Sequence, residues 1–188
     1  MKIPRCMPSR LSMVAEVAPG SVGAEVGVYR GDFAAAVLLF PVRRLYFVDP
    51  WAKPEGNFKL DPWADHDHEG NYEFVLKRFI SEVANGRVDI MRMRSLEASR
   101  ALTRQGVQLD WVFIDACHAY DDCLADLVHW SALVKPGGTI FGHDLVDDCE
   151  DLKRFGVRSA VQTFCDSNGW RLDTVGCEWP PSYALKRQ

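Results

Sequence analysis

The stretch "VGAEVGVYRGDFAAAVLLFP", residues 22–41, decides the fold. It opens with a short apolar run that suits a strand buried on both faces. Glu25 and Gly27 fall near the end of that run, and Gly31 completes an E-x-G-x-x-x-G spacing. Beyond it, Asp32 is placed to cap an alanine-rich helix, 33–40, which Pro41 stops. A strand thus turns directly into a helix, with an acid and two glycines at the junction.

The same alternation extends outward. Strands are predicted at 22–28, 44–50, 88–93, 109–116 and 138–144. Helices are predicted at 11–18, at 71–86 with Tyr72, Leu76, Phe79 and Val83 on one face, and from Ser95. Another presents Leu124, Leu127, Val128, Ser131 and Val134 and ends before Pro136-Gly137. The last, around 157–166, has Val157, Val161 and Phe164 on one side. Two closing strands, "WRLDTVGCE" and "PSYALKR", have only "WPP" at their junction, too short for a helical crossover, so they should pair as an antiparallel hairpin. Strands alternating with helices argue for an α/β fold with a mostly parallel sheet covered on both faces. Ligands of such sheets bind beyond the carboxyl ends of the strands. The residues there are Gly27, Asp49, Ser95, Asp115 and Asp144.

Length and composition set the frame. The 188 residues suit a single domain, with 1–20 as a helical lead-in and 51–70 as a long loop or lid. Apolar residues are 47% and charged residues 26%, enough for a sizeable core. The net charge of −4 gives no general pull toward nucleic acid or anionic membrane, so small molecules or another protein are the expected partners. No apolar h-region opens the chain, and "FAAAVLLF" is too short to span a bilayer, so a cytoplasmic protein is expected. The six cysteines, Cys6, Cys117, Cys123, Cys149, Cys165 and Cys177, form no C-x-x-C pair. They are expected to stay reduced and to serve mostly as small core residues.

The glycine turn excludes two nucleotide sites. A Walker loop needs Gly-Lys-Ser/Thr, which is missing. A dinucleotide fingerprint needs G-x-G-x-x-G, but Glu25 holds its first glycine position and Arg30 its last, which disfavours an NAD-dependent oxidoreductase. A carboxylate there would also repel a pyrophosphate. S-adenosylmethionine (SAM) fits better, with a sulfonium, an ammonium, a ribose diol and no phosphate. Asp49, ending the second strand, can accept from both ribose hydroxyls. The glycines alone are equally explained by a tight turn without a ligand.

The order "AEVGVYRGDFA … LYFVDPW … VDIMRMRSLEAS … LDWVFIDACHAYDD … LVKPGGTIFGHD" resembles class I SAM-dependent methyltransferases. It looks closest to the small-molecule branch that includes macrolide- and aminocoumarin-sugar O-methyltransferases. "FIDxxHxY" followed by "LVKPGGxIxGHD" is its most specific part. The resemblance implies a Rossmann-like, doubly wound sheet of seven strands, mostly parallel with the last antiparallel, and helices on both faces. It also implies SAM contacts from Glu25, Gly27, Gly31 and Asp49, with Ser95 near the adenine and Asp115 near the methionine part and reacting centre. Trp51 either covers the purine or packs under the following loop.

Methyl transfer to an alcohol needs an aligned nucleophile and a proton acceptor. Asp115 and His118 follow the fourth strand, and His143 and Asp144 the fifth; adjacent parallel strands would bring all four together. His118 is the favoured general base, since imidazole titrates near neutral pH; alternatively it caps the next helix or orients Asp115. In the antibiotic-sugar enzymes, strand-end carboxylates hold a divalent ion. Asp115 and Asp144 match that pattern. His143 departs from it, which weakens a magnesium site and penalises manganese or zinc less. Cys117 departs too and is read as a packing or pocket-lining residue. "DPWADHDHE" (61–69) carries Asp65, His66, Asp67, His68 and Glu69, read as a solvated loop before an ion site. As a lid it would bring Asp61, Trp63, His66 and Tyr72 to the acceptor. Arg92, Arg94, Arg100 and Arg104 read as a solvated helix edge, and Trp179 and Tyr183 as core or dimer contacts. The functional expectation is methyl transfer from SAM to a hydroxyl of a small metabolite such as a sugar. A non-catalytic SAM-binding module and an N-methyltransferase remain as alternatives, and a homodimer is left open.

Overall fold

A computed structural model describes residues 3–53, 55, 66–148 and 155–188. Its strands are β1 (Arg5–Met7), β2 (Val22–Val26), β3 (Arg44–Asp49), β4 (Val88–Arg92), β5 (Leu109–Ile114), β6 (Val134–Gly142), β7 (Trp170–Gly176) and β8 (Tyr183–Arg187). Its helices are α1 (Arg10–Val14), α2 (Asp32–Val37), α3 (His68–Arg78), α4 (Ile80–Ala84), α5 (Ser95–Arg104), α6 (Tyr120–Ser131) and α7 (Val157–Asn168). The strands form one sheet in the order β1-β7-β8-β6-β5-β2-β3-β4. β2 to β6 run parallel, and β8 is antiparallel to both β6 and β7. The Rossmann-like architecture and the closing hairpin are therefore as expected. The sheet has eight strands rather than seven, because three residues of the lead-in add β1 alongside β7.

The period-two pattern of the inner strands explains the two layers. Leu45, Phe47, Trp111 and Phe113 face α1, α2 and α3, while Tyr46, Val48, Val112 and Ile114 face α5, α6 and α7. Both sets are buried, which is why these strands read as continuous apolar runs. Gly23 sits opposite Trp111 in register, and a Cβ on it would lie 2.2 Å from the indole. The small residue makes room for the large one.

Several local expectations are corrected. The predicted 71–86 helix breaks at Phe79 (φ −110°) into α3 and α4. Leu76 and Val83 are exposed, whereas Val75 and Phe79 are buried. The break lets the Phe79 ring meet Phe47 edge-on at 4.9 Å. Asp32 does not cap α2; Gly31 holds that position in the left-handed region, and Asp32 pairs with Arg78. On α6 the buried face is Cys123, Asp126, Leu127 and Trp130, with Val128 exposed and Val134 already in β6. The face of α7 is as predicted, with Ala160 added.

The cysteines depart most. Cys6 and Cys177, both exposed, form a disulfide across 171 residues. Parallel pairing of β1 with β7 sets Cys6 opposite Val175, with Cys177 just past the strand end and a Cα–Cα distance of 6.3 Å, within disulfide reach. Cys123 is buried, Cys117 and Cys165 are half-buried, and Cys149 lies outside the described residues. No helix among the described residues is long and apolar enough to cross a membrane.

Candidate functional site

Strand order locates the site. The chain leaves β2 for β3 and β4 on one side, then returns to β5 on the other. Helices after β2 and β5 diverge at this reversal and leave a crevice beyond the strand ends. Gly27 and Asp115 lie at its mouth. Gly27 has φ +89°, and a Cβ on it would stand 1.9 Å from the Asp115 carbonyl oxygen, so only glycine fits here. Three non-glycine residues with left-handed backbones, Tyr29, Trp51 and Asp144, follow β2, β3 and β6 at the same edge. Such strain collects where surrounding structure enforces a functional geometry.

Glu25 points into this region from β2 and is 3% exposed. Its Oε2 has no hydrogen-bond partner among the described residues. Burial, and next the negative charge of Asp115, push its carboxyl well above the ordinary range, while Arg10 pulls the other way. A buried carboxylate facing a second one is costly until a positive group arrives.

The remaining acids have internal partners. Asp115 Oδ2 accepts from Arg10 at 3.1 Å, and its Oδ1 lies 3.7 Å from His118 Nε2. That nitrogen is 2.9 Å from Asp144 Oδ2, and His143 Nδ1 is 3.1 Å from the same oxygen. Burial pushes the Asp144 carboxyl up, but the hydrogen bonds and charges of the two imidazoles outweigh it and hold the carboxyl well below its usual range. The His118 ring is 7% exposed and stacks on Phe155 at 4.4 Å with nearly parallel planes. Ligand atoms of Asp115, His118 and Asp144 lie within 4.8 Å of one another. The convergent trio thus contains His118 in place of His143, which touches only its neighbour Asp144 among these acids.

Two carboxylates and an imidazole are a donor set that a divalent ion such as manganese or zinc can use. Here Asp115 is engaged by Arg10 and Asp144 by two imidazoles. A metal would have to displace these contacts, so the trio fits a proton-handling group better than a metal seat.

Other predicted residues are placed as follows. Asp49 accepts from the backbone N–H groups of Val28 (3.0 Å) and Tyr29 (2.9 Å) through one oxygen and Trp51 (2.7 Å) through the other. It therefore ties the β2–α2 turn to the end of β3; the oxygen that accepts from Trp51 keeps a second lone pair for a ligand. Gly31 (φ +72°) is held by packing, since a Cβ would meet the Phe79 ring at 2.6 Å. Trp51 is 2% exposed and donates from its indole to Tyr29 O at 2.7 Å, which makes it a core residue beneath the turn. Ser95 donates to Asp126 and accepts from the Trp130 indole at 2.8 Å.

The 51–70 segment is described only in part. Asp61, Trp63 and Asp65 lie outside the described residues. His66 packs near Tyr29 at 5.1 Å, Asp67 caps α3, and Tyr72 packs against Trp51. Arg92 is exposed as expected but ends β4 rather than edging a helix, and it bonds Trp51 O and Glu69 and lies over Tyr72. Cys117 donates to Asp122 at 3.4 Å. Tyr183 is buried core and Trp179 is exposed. Sequence reasoning missed Arg10 and Phe155. Neither belongs to a motif, and both reach the site only through tertiary packing.

Comparison with known proteins matches residues 24–145 to a family model described as a methyltransferase domain. A search of curated protein sequences found no match. Among solved structures, the chain is similar to an O-methyltransferase from Bacillus cereus in complex with SAH, at TM-score 0.67 and 14% identity, covering 94% of this chain and 78% of that one. It is similarly close to an rRNA methylase from Streptococcus thermophilus, at TM-score 0.63 and 11% identity, covering 94% and 93%. At these identities the likeness concerns the fold.

Proposed function

The chain belongs to the methyltransferase-domain family, and from that premise we propose that it moves a methyl group from SAM to a hydroxyl of a small metabolite. One observation carries this reading. A buried carboxylate, Glu25, whose Oε2 has no hydrogen-bond partner among the described residues, and the glycine turn at Gly27 adjoin the Asp115–His118–Asp144 cluster at the sheet's reversal point.

Bound SAM supplies a methyl carbon activated by a positively charged sulfur, which leaves as a neutral thioether. Glu25 and Asp115 offer negative charge to the donor's cationic groups. Gly27 keeps its backbone cradle open, Asp49 and Ser95 complete the proposed donor site, and Gly31 and Trp51 support the turn from the core. His118 accepts the proton of the attacking hydroxyl. Asp144 and Asp115, both near its Nε2, offset the charge it gains, as an acid does beside a catalytic imidazole. His143 holds Asp144 in place from the other side.

The rim favours a small acceptor. Among the described residues, Glu25, Asp49, Asp115 and Asp144 lie at it, with the Arg10 guanidinium opposing them, and a polyanion such as RNA would meet repulsion from these acids. The test measures SAH formation with hydroxylated metabolites, with amines and with an rRNA transcript. Turnover confined to amines or RNA overturns the hydroxyl reading. Replacing His118 by Ala should slow turnover about 10²–10⁴-fold with donor affinity retained. Unchanged turnover removes it as the base, and no turnover with any acceptor favours a binding module.

A further inference from the structure

We propose that Arg10 is the residue that binds the carboxylate at the amino-acid end of the methyl donor, a role that rests on reading this rim as the donor site. Arg10 opens α1, far from every motif in the sequence. Three contacts bring it to the rim. Its backbone N–H donates to Glu178 Oε1 at 2.9 Å, its guanidinium lies over the Phe33 ring at 5.1 Å, and Nη1 donates to Asp115 Oδ2 at 3.1 Å. The Cys6–Cys177 disulfide pins the segment just before it next to Glu178.

The charge pattern selects the ligand group. Arg10 pairs with Asp115 while Glu25 Oε2 has no hydrogen-bond partner among the described residues, so Arg10 faces two carboxylates. A phosphate or a dianion would be repelled by Asp115 and Glu25. An α-amino acid zwitterion matches instead. Its ammonium suits the acids, and its carboxylate suits the Arg10 guanidinium, which can bind it through two parallel N–H bonds. The Arg10 and Asp115 side chains are 37% and 23% exposed, and a partly solvated ion pair of this kind is weak. The zwitterion can therefore replace it, each end taking the partner of opposite sign. No covalent bond changes in this exchange.

The experiment is calorimetric titration of the full chain with SAM and with decarboxylated SAM, which keeps the amine and sulfonium but lacks the carboxylate. Wild type should prefer SAM by at least about tenfold, the scale of one charge-assisted contact. Arg10→Ala should weaken SAM binding by about 10- to 100-fold and leave the decarboxylated ligand within about twofold, so that discrimination disappears. Arg10→Lys should restore part of it. If Arg10→Ala still discriminates, or loses both ligands equally, the assignment is overturned while the donor site stands. If wild type binds neither ligand, the donor reading falls and this assignment with it.

Discussion

Replacing Asp126 by Asn should make the protein more stable at alkaline pH and leave it nearly unchanged in acid. Asp126 is 5% exposed on the inner face of α6. It accepts a hydrogen bond from Ser95, whose oxygen in turn accepts from the Trp130 indole. Burial, opposed by the Ser95 hydrogen bond and aided by Asp122, pushes its carboxyl from 3.8 up to about 7. The folded state therefore keeps a proton that the unfolded chain gives up. Stability from this group is fully present below pH 3.8 and is lost as pH rises through about 7. That gap corresponds to roughly 4 kcal/mol, of which about 3 kcal/mol falls between pH 5 and 8. Asparagine accepts the same Ser95 bond and does not titrate. Urea unfolding of both proteins at pH 5, 6, 7 and 8 gives the difference directly, with other titrations cancelling. A difference constant within about 0.5 kcal/mol over that range would refute the reasoning.

Three further outcomes are expected. Gly27→Ala combines a left-handed backbone with a Cβ 1.9 Å from the Asp115 carbonyl; it should cost at least about 3 kcal/mol in thermal or urea unfolding, and a stable variant would mean that the turn can relax. Asp49→Ala leaves three backbone N–H groups without their acceptor and should lower stability by about 2–4 kcal/mol before any ligand is added; a loss confined to donor affinity would assign the carboxylate to the ligand alone. Treatment with a chelator should leave turnover unchanged, because Asp115, His118 and Asp144 already have internal partners; activity lost to the chelator and restored by manganese or zinc would return a metal to this trio.

The sequence by itself determined the architecture. Burial on both sheet faces writes itself into each inner strand as an unbroken apolar run, and the short "WPP" junction leaves the last two strands no route but a hairpin. Strand ends could likewise be read, which is why Gly27, Asp49, Asp115 and Asp144 were all in view. Helix faces were read less well where one aromatic decided them, as with Phe79, whose ring packs beneath Gly31 and breaks the predicted helix. Only the tertiary structure decided which side chains meet. Arg10 reaches Asp115 across 105 residues, and Cys6 finds Cys177 because a three-residue strand docks beside β7. His118, not His143, enters the carboxylate pair because the turn after β5 carries it toward the end of β6. Periodicity reports how each segment meets water, a local property. Convergence of charged groups depends on how distant segments pack, and no local pattern records that.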